Sequence, residues 1–251
     1  MSNQSLLYAV LTSTLFVLFH SNAPAQSENR SQTIKDIDSL RKQVDEKEKK
    51  FLSPSAEDLA LHAEFLKQSN TGLIRLFPSG LYEDKLMIRG GGSFYSFLRL
   101  SHEYGYGSDI MLRLIRRNDH QVLPLAEYNF VSGFMGHGFI TVIGDIPLEQ
   151  VTLDHDAVKF LFSYKPPSTV GEMQPERQRA TVGIEKDGFM YKNSALVIPD
   201  YTYALRSINF DRSDVLVALR VVRRESDGSV VILWKMLKRF SKPELIRTAA
   251  W

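Results

Sequence analysis

VLVALRVVRRESDGSVVILWKMLKR, residues 215–239, decides the fold. Two apolar runs rich in β-branched residues flank Glu225 to Ser229. Within that link, Asp227-Gly228 is a favoured two-residue hairpin turn. Val217, Leu219 and Val221 alternate with Leu216, Ala218 and Arg220, so both faces of the first strand are largely apolar at one end. A strand apolar on both faces is covered on both faces, which places the hairpin in the middle of a sheet rather than at its rim.

Working back from this hairpin, the same period of two recurs from Gly72 onward. Strands are expected at 73–77, 85–88, 94–100, 109–116, 139–143, 158–164 and 201–208. Short strands separated by turn residues, with no strand–helix–strand alternation, exclude a doubly wound or (β/α)8 architecture. The expected fold is mainly β (α+β): an antiparallel β-sandwich or barrel preceded by an N-terminal helical pair. Residues 72–251 form the β domain, with a long loop at 165–180 that holds Pro166, Pro167 and Pro175 and at most a short helix at 175–179.

Upstream, residues 26–71 hold the helical pair. Ile34, Ile37, Leu40, Val44 and Phe51 share one helical stripe, with charge on the opposite face. Lys47 breaks the heptad where a second apolar seam residue belongs, and the seam is too short for an autonomous coiled coil. Even so, the stripe makes a homo-oligomer through this helix an open expectation. Ser53-Pro54 starts a second helix reaching Gln68, expected to bury Leu59, Ala63, Phe65 and Leu66, and Asn70 to Gly72 closes it. Gln26 to Ser31 reads as loose.

Residues 1–25 read as a secretory signal peptide. Leu6 to Phe19 is apolar apart from Thr12 to Thr14, and Ala23-Pro24-Ala25 has the small-x-small cleavage pattern. The run is shorter than the ~20 residues that span a bilayer. Met1 to Ser5 carries no Lys or Arg, which leaves an uncleaved membrane tether as the alternative to export. The chain has no cysteine. That removes disulfides, thiol catalysis and cysteine-ligated metals from consideration. With 31 basic and 29 acidic side chains in 251 residues, no global field points to nucleic acid.

The densest candidate site is RGGGSFYSFLRLSHEYGYGSD, residues 89–109. Gly90 to Gly92 lack the spacing of a phosphate loop and read as a bulge or tight turn with φ > 0. On a regular strand, Phe94, Leu98 and Leu100 face the core, and Tyr95, Phe97 and Arg99 face the other way. Tyr95, Arg99, His102, Tyr104 and Tyr106 are therefore the candidate ligand-binding residues, since tyrosine joins apolar area to a hydroxyl. The alternative, an enzyme, would use His102, Glu103 and Asp109 as catalytic groups. His102, His137 and His155 would be its metal ligands, although the spacing is not HExxH. No nucleophile elbow is present, and no cofactor is implied. Arg206, Arg212 and Asp214 read as surface ion pairs in a polar turn. Arg220, Arg223, Arg224, Lys235, Lys238 and Arg239 read as a solvated strand end or an anion-binding patch. The functional expectation is an exported, non-catalytic module that binds a small amphipathic ligand or a protein partner.

Overall fold

The computed structural model describes residues 23–115, 127–133 and 136–246. The apolar run of the expected signal peptide lies outside the described residues. The chain divides after Lys47 into two compact units. In the first, the described residues form the N-terminal part of helix α1, Ala23–Leu52. Helix therefore replaces the loose segment expected at Gln26 to Ser31.

The second unit begins with the end of α1 and two short helices, α2 (Ala56–Leu61) and α3 (Ala63–Leu66). The expected pair is thus one long helix and two short ones. Ser55, not Ser53, caps α2, in a reciprocal capping box with Asp58. Arg223 bridges to both carboxylate oxygens of Asp58 and also to Glu225, which ties α2 to the sheet. The guanidinium holds the Asp58 carboxyl far below the usual range. Phe65 is buried as expected, whereas Leu59 is exposed.

Eleven strands follow among the described residues. They are β1 (Thr71–Leu76), β2 (Phe94–Tyr95), β3 (Ile110–Ile115), β4 (Glu127–Ser132), β5 (His137–Gly144), β6 (Ile184–Lys186), β7 (Phe189–Tyr191), β8 (Ser194–Leu196), β9 (Thr202–Asn209), β10 (Ser213–Arg224) and β11 (Val230–Arg239). One antiparallel sheet has the order β1-β11-β10-β9-β5, a second has β2-β3-β4-β8, and β6-β7 is a separate hairpin. Neither large sheet closes into a barrel, so the fold is sandwich-like α+β. The β10–β11 hairpin is internal to the five-stranded sheet, and Gly228 takes φ +85° at its turn.

Both faces of that sheet are covered. Leu76, Leu205, Val217, Leu219, Ile232 and Trp234 pack toward Leu112 and Phe130 of the smaller sheet and toward Phe97 just beyond β2. Leu216, Ala218, Val231 and Leu233 pack on the opposite face with Leu148, Val158, Leu161 and Ala180. The second layer is helical. Of residues 158–164, expected as a strand, 158–163 belong to helix α4 (Asp156–Ser163) with Tyr164 as its C-cap, and the expected loop at 165–180 holds helix α5 (Val170–Val182). His155 caps α4 by accepting from the Ala157 N–H, and Thr169 with Glu172 forms a capping box on α5. Pro175 lies in the interior of α5.

Residues 85–88 form turns rather than a strand. The glycine triplet behind them is a continuous positive-φ segment, +81°, +57° and +80°. A Cβ on Gly91 would lie 2.6 Å from the Tyr82 carbonyl carbon. Gly91→Ala is expected to cost about 1–3 kcal/mol, from the left-handed strain together with a backbone clash. Urea unfolding measures this; a variant as stable as wild type would contradict the conformational assignment.

Candidate functional site

The 89–109 segment is built from the inside out, and its faces are the reverse of those expected. β2 ends at Tyr95, and Leu100 turns into the left-handed region at φ +55°. Tyr95 and Phe97 point into the main core, and Phe94 joins Met111 and Val131 in a small separate cluster. Burial pushes the Tyr95 hydroxyl up to about 12. His102 stands edge-on to Tyr95, and its Nε2 is 2.8 Å from the Arg75 carbonyl oxygen. Arg99 pairs with Glu103 at 2.7 Å. Tyr104 and Tyr106 are exposed, under the guanidinium groups of Arg89 and Arg212.

Asp109 is buried at the junction of the two sheets. Its carboxylate accepts from the Phe97 N–H at 2.8 Å and from the Asn209 amide at 3.1 Å. Burial raises its pKa to about 6, against the opposing effect of hydrogen bonds from Ser207, Phe97 and Ser96. Asp109 thus pins β3 to the β9–β10 turn instead of capping the glycine turn at 105–108, where Ser108 bonds the Gly105 carbonyl.

The three histidines occupy separate environments. His102 meets Arg75, His155 caps α4, and His137 Nε2 lies 2.8 Å from the Tyr164 hydroxyl. Tyr164 in turn donates to Glu176 at 2.8 Å, and Glu176 pairs with Arg179 at 2.5 Å. Desolvation of His137 outweighs the attraction of Glu176 and holds its pKa down at about 4. This chain clamps β5, α4 and α5 together around a buried imidazole. Among the described residues, no three His, Asp or Glu side chains are placed to hold a metal ion. The expected metal set of His102, His137 and His155 is therefore corrected. His102, Glu103 and Asp109, the expected catalytic set, bond respectively to the Arg75 carbonyl, Arg99 and the Phe97 N–H.

Arg206 and Asp214 are also corrected, from surface to core. Their bidentate pair, at 2.9 and 2.7 Å, is fully buried. Arg206 also donates to the Leu161 and Tyr164 carbonyls at the C-terminal end of α4. The proposed basic patch is divided in the same way: Arg220 pairs with Asp145, and Arg223 with Asp58 and Glu225.

A concave site lies elsewhere. A groove of about 410 Å³ opens where edge strand β5 faces β7 and edge strand β8. That volume suits a small ligand or a short segment. Ile140, Val142, Phe189, Met190 and Leu196 give it apolar walls, and Asn129, Lys192 and Ser194 add polar groups. Met190 and Leu196 are large side chains left substantially exposed. β5 meets the incoming chain through a single bridge: the Ile140 N–H donates to Lys192 O at 2.6 Å, and the Lys192 N–H donates to Ile140 O at 3.0 Å. Two residues along an antiparallel strand, the peptide groups point the same way. Val142 therefore turns its N–H and C=O toward the groove, where no backbone partner among the described residues meets them. On β8, the Ser132 N–H donates to Asn193 O, so Ala195 bonds toward β4 and Ser194 points away from it.

No protein-family model, curated protein or solved structure matches the chain. The site therefore has to be read from its own chemistry. None of the five expected ligand-binding residues lines the groove. One signal in the sequence pointed toward it. Asp187-Gly188, with φ +53° and +81°, turns the two-residue β6–β7 hairpin, whereas in the longer β10–β11 loop only Gly228 of the Asp-Gly pair has positive φ.

Proposed function

We propose that the chain is a non-catalytic binding module that takes an extended peptide segment of a protein partner into the groove between β5, β7 and β8. One observation carries this reading: β5 and β7 part after the Ile140–Lys192 bridge, leaving the Val142 peptide groups without a backbone partner among the described residues, beside the exposed apolar side chains of Met190 and Leu196. An unpaired strand edge recognises backbone, and the neighbouring side-chain pockets select sequence. Lys192 would favour a carboxylate on the entering segment. The reading includes export, which the N-terminal apolar run supports.

The test is selection of random linear peptides displayed on phage, followed by affinity measurement on the enriched sequences. Val142→Pro deletes the outward N–H at an edge position where proline is tolerated. It is expected to weaken binding roughly three- to tenfold, the effect of about one net hydrogen bond. Met190→Asp is expected to weaken it further. Enriched peptides that bind both variants as tightly as wild type would remove the groove as the seat. Small amphipathic compounds that shift the melting temperature through the groove, with no peptide enriched, would favour a small ligand instead.

A further inference from the structure

From Asn29 to Lys47 every residue of α1 is exposed, including Ile34, Ile37, Leu40 and Val44. Their spacings of three, three and four place them on one side of the helix. A helix with four large aliphatic residues in one row and charge elsewhere has a face suited to burial against a partner. We propose that this face pairs with the same face of a second copy of the chain, as a short parallel two-stranded coil in register.

Three features select that occupant. The seam places β-branched Ile37 and Val44 at the first apolar heptad position and Leu40 at the second, the combination that favours two parallel strands. The flanking positions are complementary. In a parallel pair, the residue just before Ile37 faces the residue just after Leu40 on the other helix. These are Asp36 and Arg41, so symmetry forms two opposite-charge contacts. In the single chain, Arg41 lies 3.6 Å from Asp38 on an exposed surface.

The third feature answers the brevity of the seam. An isolated helix of this length must supply its own nucleation. Here the C-terminal end of α1 is already fixed within the second unit. Phe51 stacks on Phe77 with centroids 4.9 Å apart, Leu52 is buried, and the Glu48 carboxylate accepts from the Met87 and Ile88 N–H groups. A helix held at one end can use a seam too short to fold alone. Lys47, at the next second-position site, ends the seam before that anchored region.

The cysteine-free chain makes the test direct. Single-cysteine variants Arg30→Cys and Val44→Cys, both at first-position sites, are oxidised in the full-length protein over a range of concentrations. A parallel in-register pair links each variant to itself, with a yield that rises with concentration. Ile37→Asp, at an exposed site that leaves folding intact, is expected to abolish both links. Arg41→Asp is expected to cut the yield several-fold, and the exchange Asp36→Arg with Arg41→Asp is expected to restore it. Links formed only between Arg30→Cys and Val44→Cys chains would overturn the parallel arrangement. A monomer by sedimentation at every concentration, with no link in either variant, would overturn the pairing itself.

Discussion

Asp214→Ala is expected to lower stability by about 3–5 kcal/mol, because it leaves a buried guanidinium without its counter-charge. Arg206 enters the interior on β9 and is satisfied on every side there. It holds Asp214 through two bonds, two carbonyl oxygens near the end of α4, and the Phe240 ring 3.8 Å from its central carbon. Deleting the carboxylate keeps the desolvation cost of Arg206 and removes its compensation. Urea unfolding gives the loss directly. The double variant Arg206→Met with Asp214→Leu removes both charges and should be closer to wild type than Asp214→Ala. A single variant within 1 kcal/mol of wild type, on the order of an exposed pair, would mean that water reaches the site.

His137 is expected to weaken the fold as the solution is acidified. Its pKa is about 4 in the folded protein against an ordinary 6.5, chiefly because burial disfavours the cation. Between those two values the unfolded chain binds a proton that the native state does not. The stability contribution of His137 is therefore complete above pH 6.5 and is lost as the pH falls toward 4. The size is roughly 3 kcal/mol by linkage. Asp109 acts with the opposite sign. Its folded value of about 6 lies above the ordinary 3.8, so its contribution is present in acid and lost as the pH rises through 6. The two effects overlap, so the measurement compares His137→Phe with wild type. Their stability difference should move by roughly 3 kcal/mol in favour of the variant between neutral pH and pH 4. An unchanged difference would place the imidazole in contact with water.

What the sequence made legible follows from where local pattern and tertiary need agree. The β10–β11 hairpin was readable because its turn chemistry and its two apolar faces point to the same central position. Residues 158–164 misled because VKFLFSY is apolar apart from Lys159 and Ser163, and a short apolar run does not distinguish a strand from a helix lying on a sheet. The deciding signal was the cap: His155 accepts from the Ala157 N–H, a role more common for Ser, Thr, Asp or Asn. Three prolines concealed α5, although Thr169 and Glu172 carry its capping box. The site was less legible than the fold. The 89–109 stretch concentrates reactive-looking residues because it turns sharply, and alternation alone does not say which face meets the larger sheet: Tyr95 and Phe97 do, and Phe94 does not. The groove, by contrast, is assembled from β4, β5, β7 and β8, and its most informative group is the Val142 backbone, which no side-chain motif encodes.

The order of the five-stranded sheet has a consequence in time. β1, at 71–76, is hydrogen-bonded to β11, at 230–239, and to no other strand of that sheet. During synthesis, the first strand made waits for the last. While about 150 residues pass between them, the apolar face of β1 has no permanent cover, and closing so distant a contact is intrinsically slow. The five-stranded sheet is therefore completed only after β11 has been made. A chaperone has its longest opportunity at Leu73 to Phe77, and a chain stopped before Val230 leaves that strand exposed.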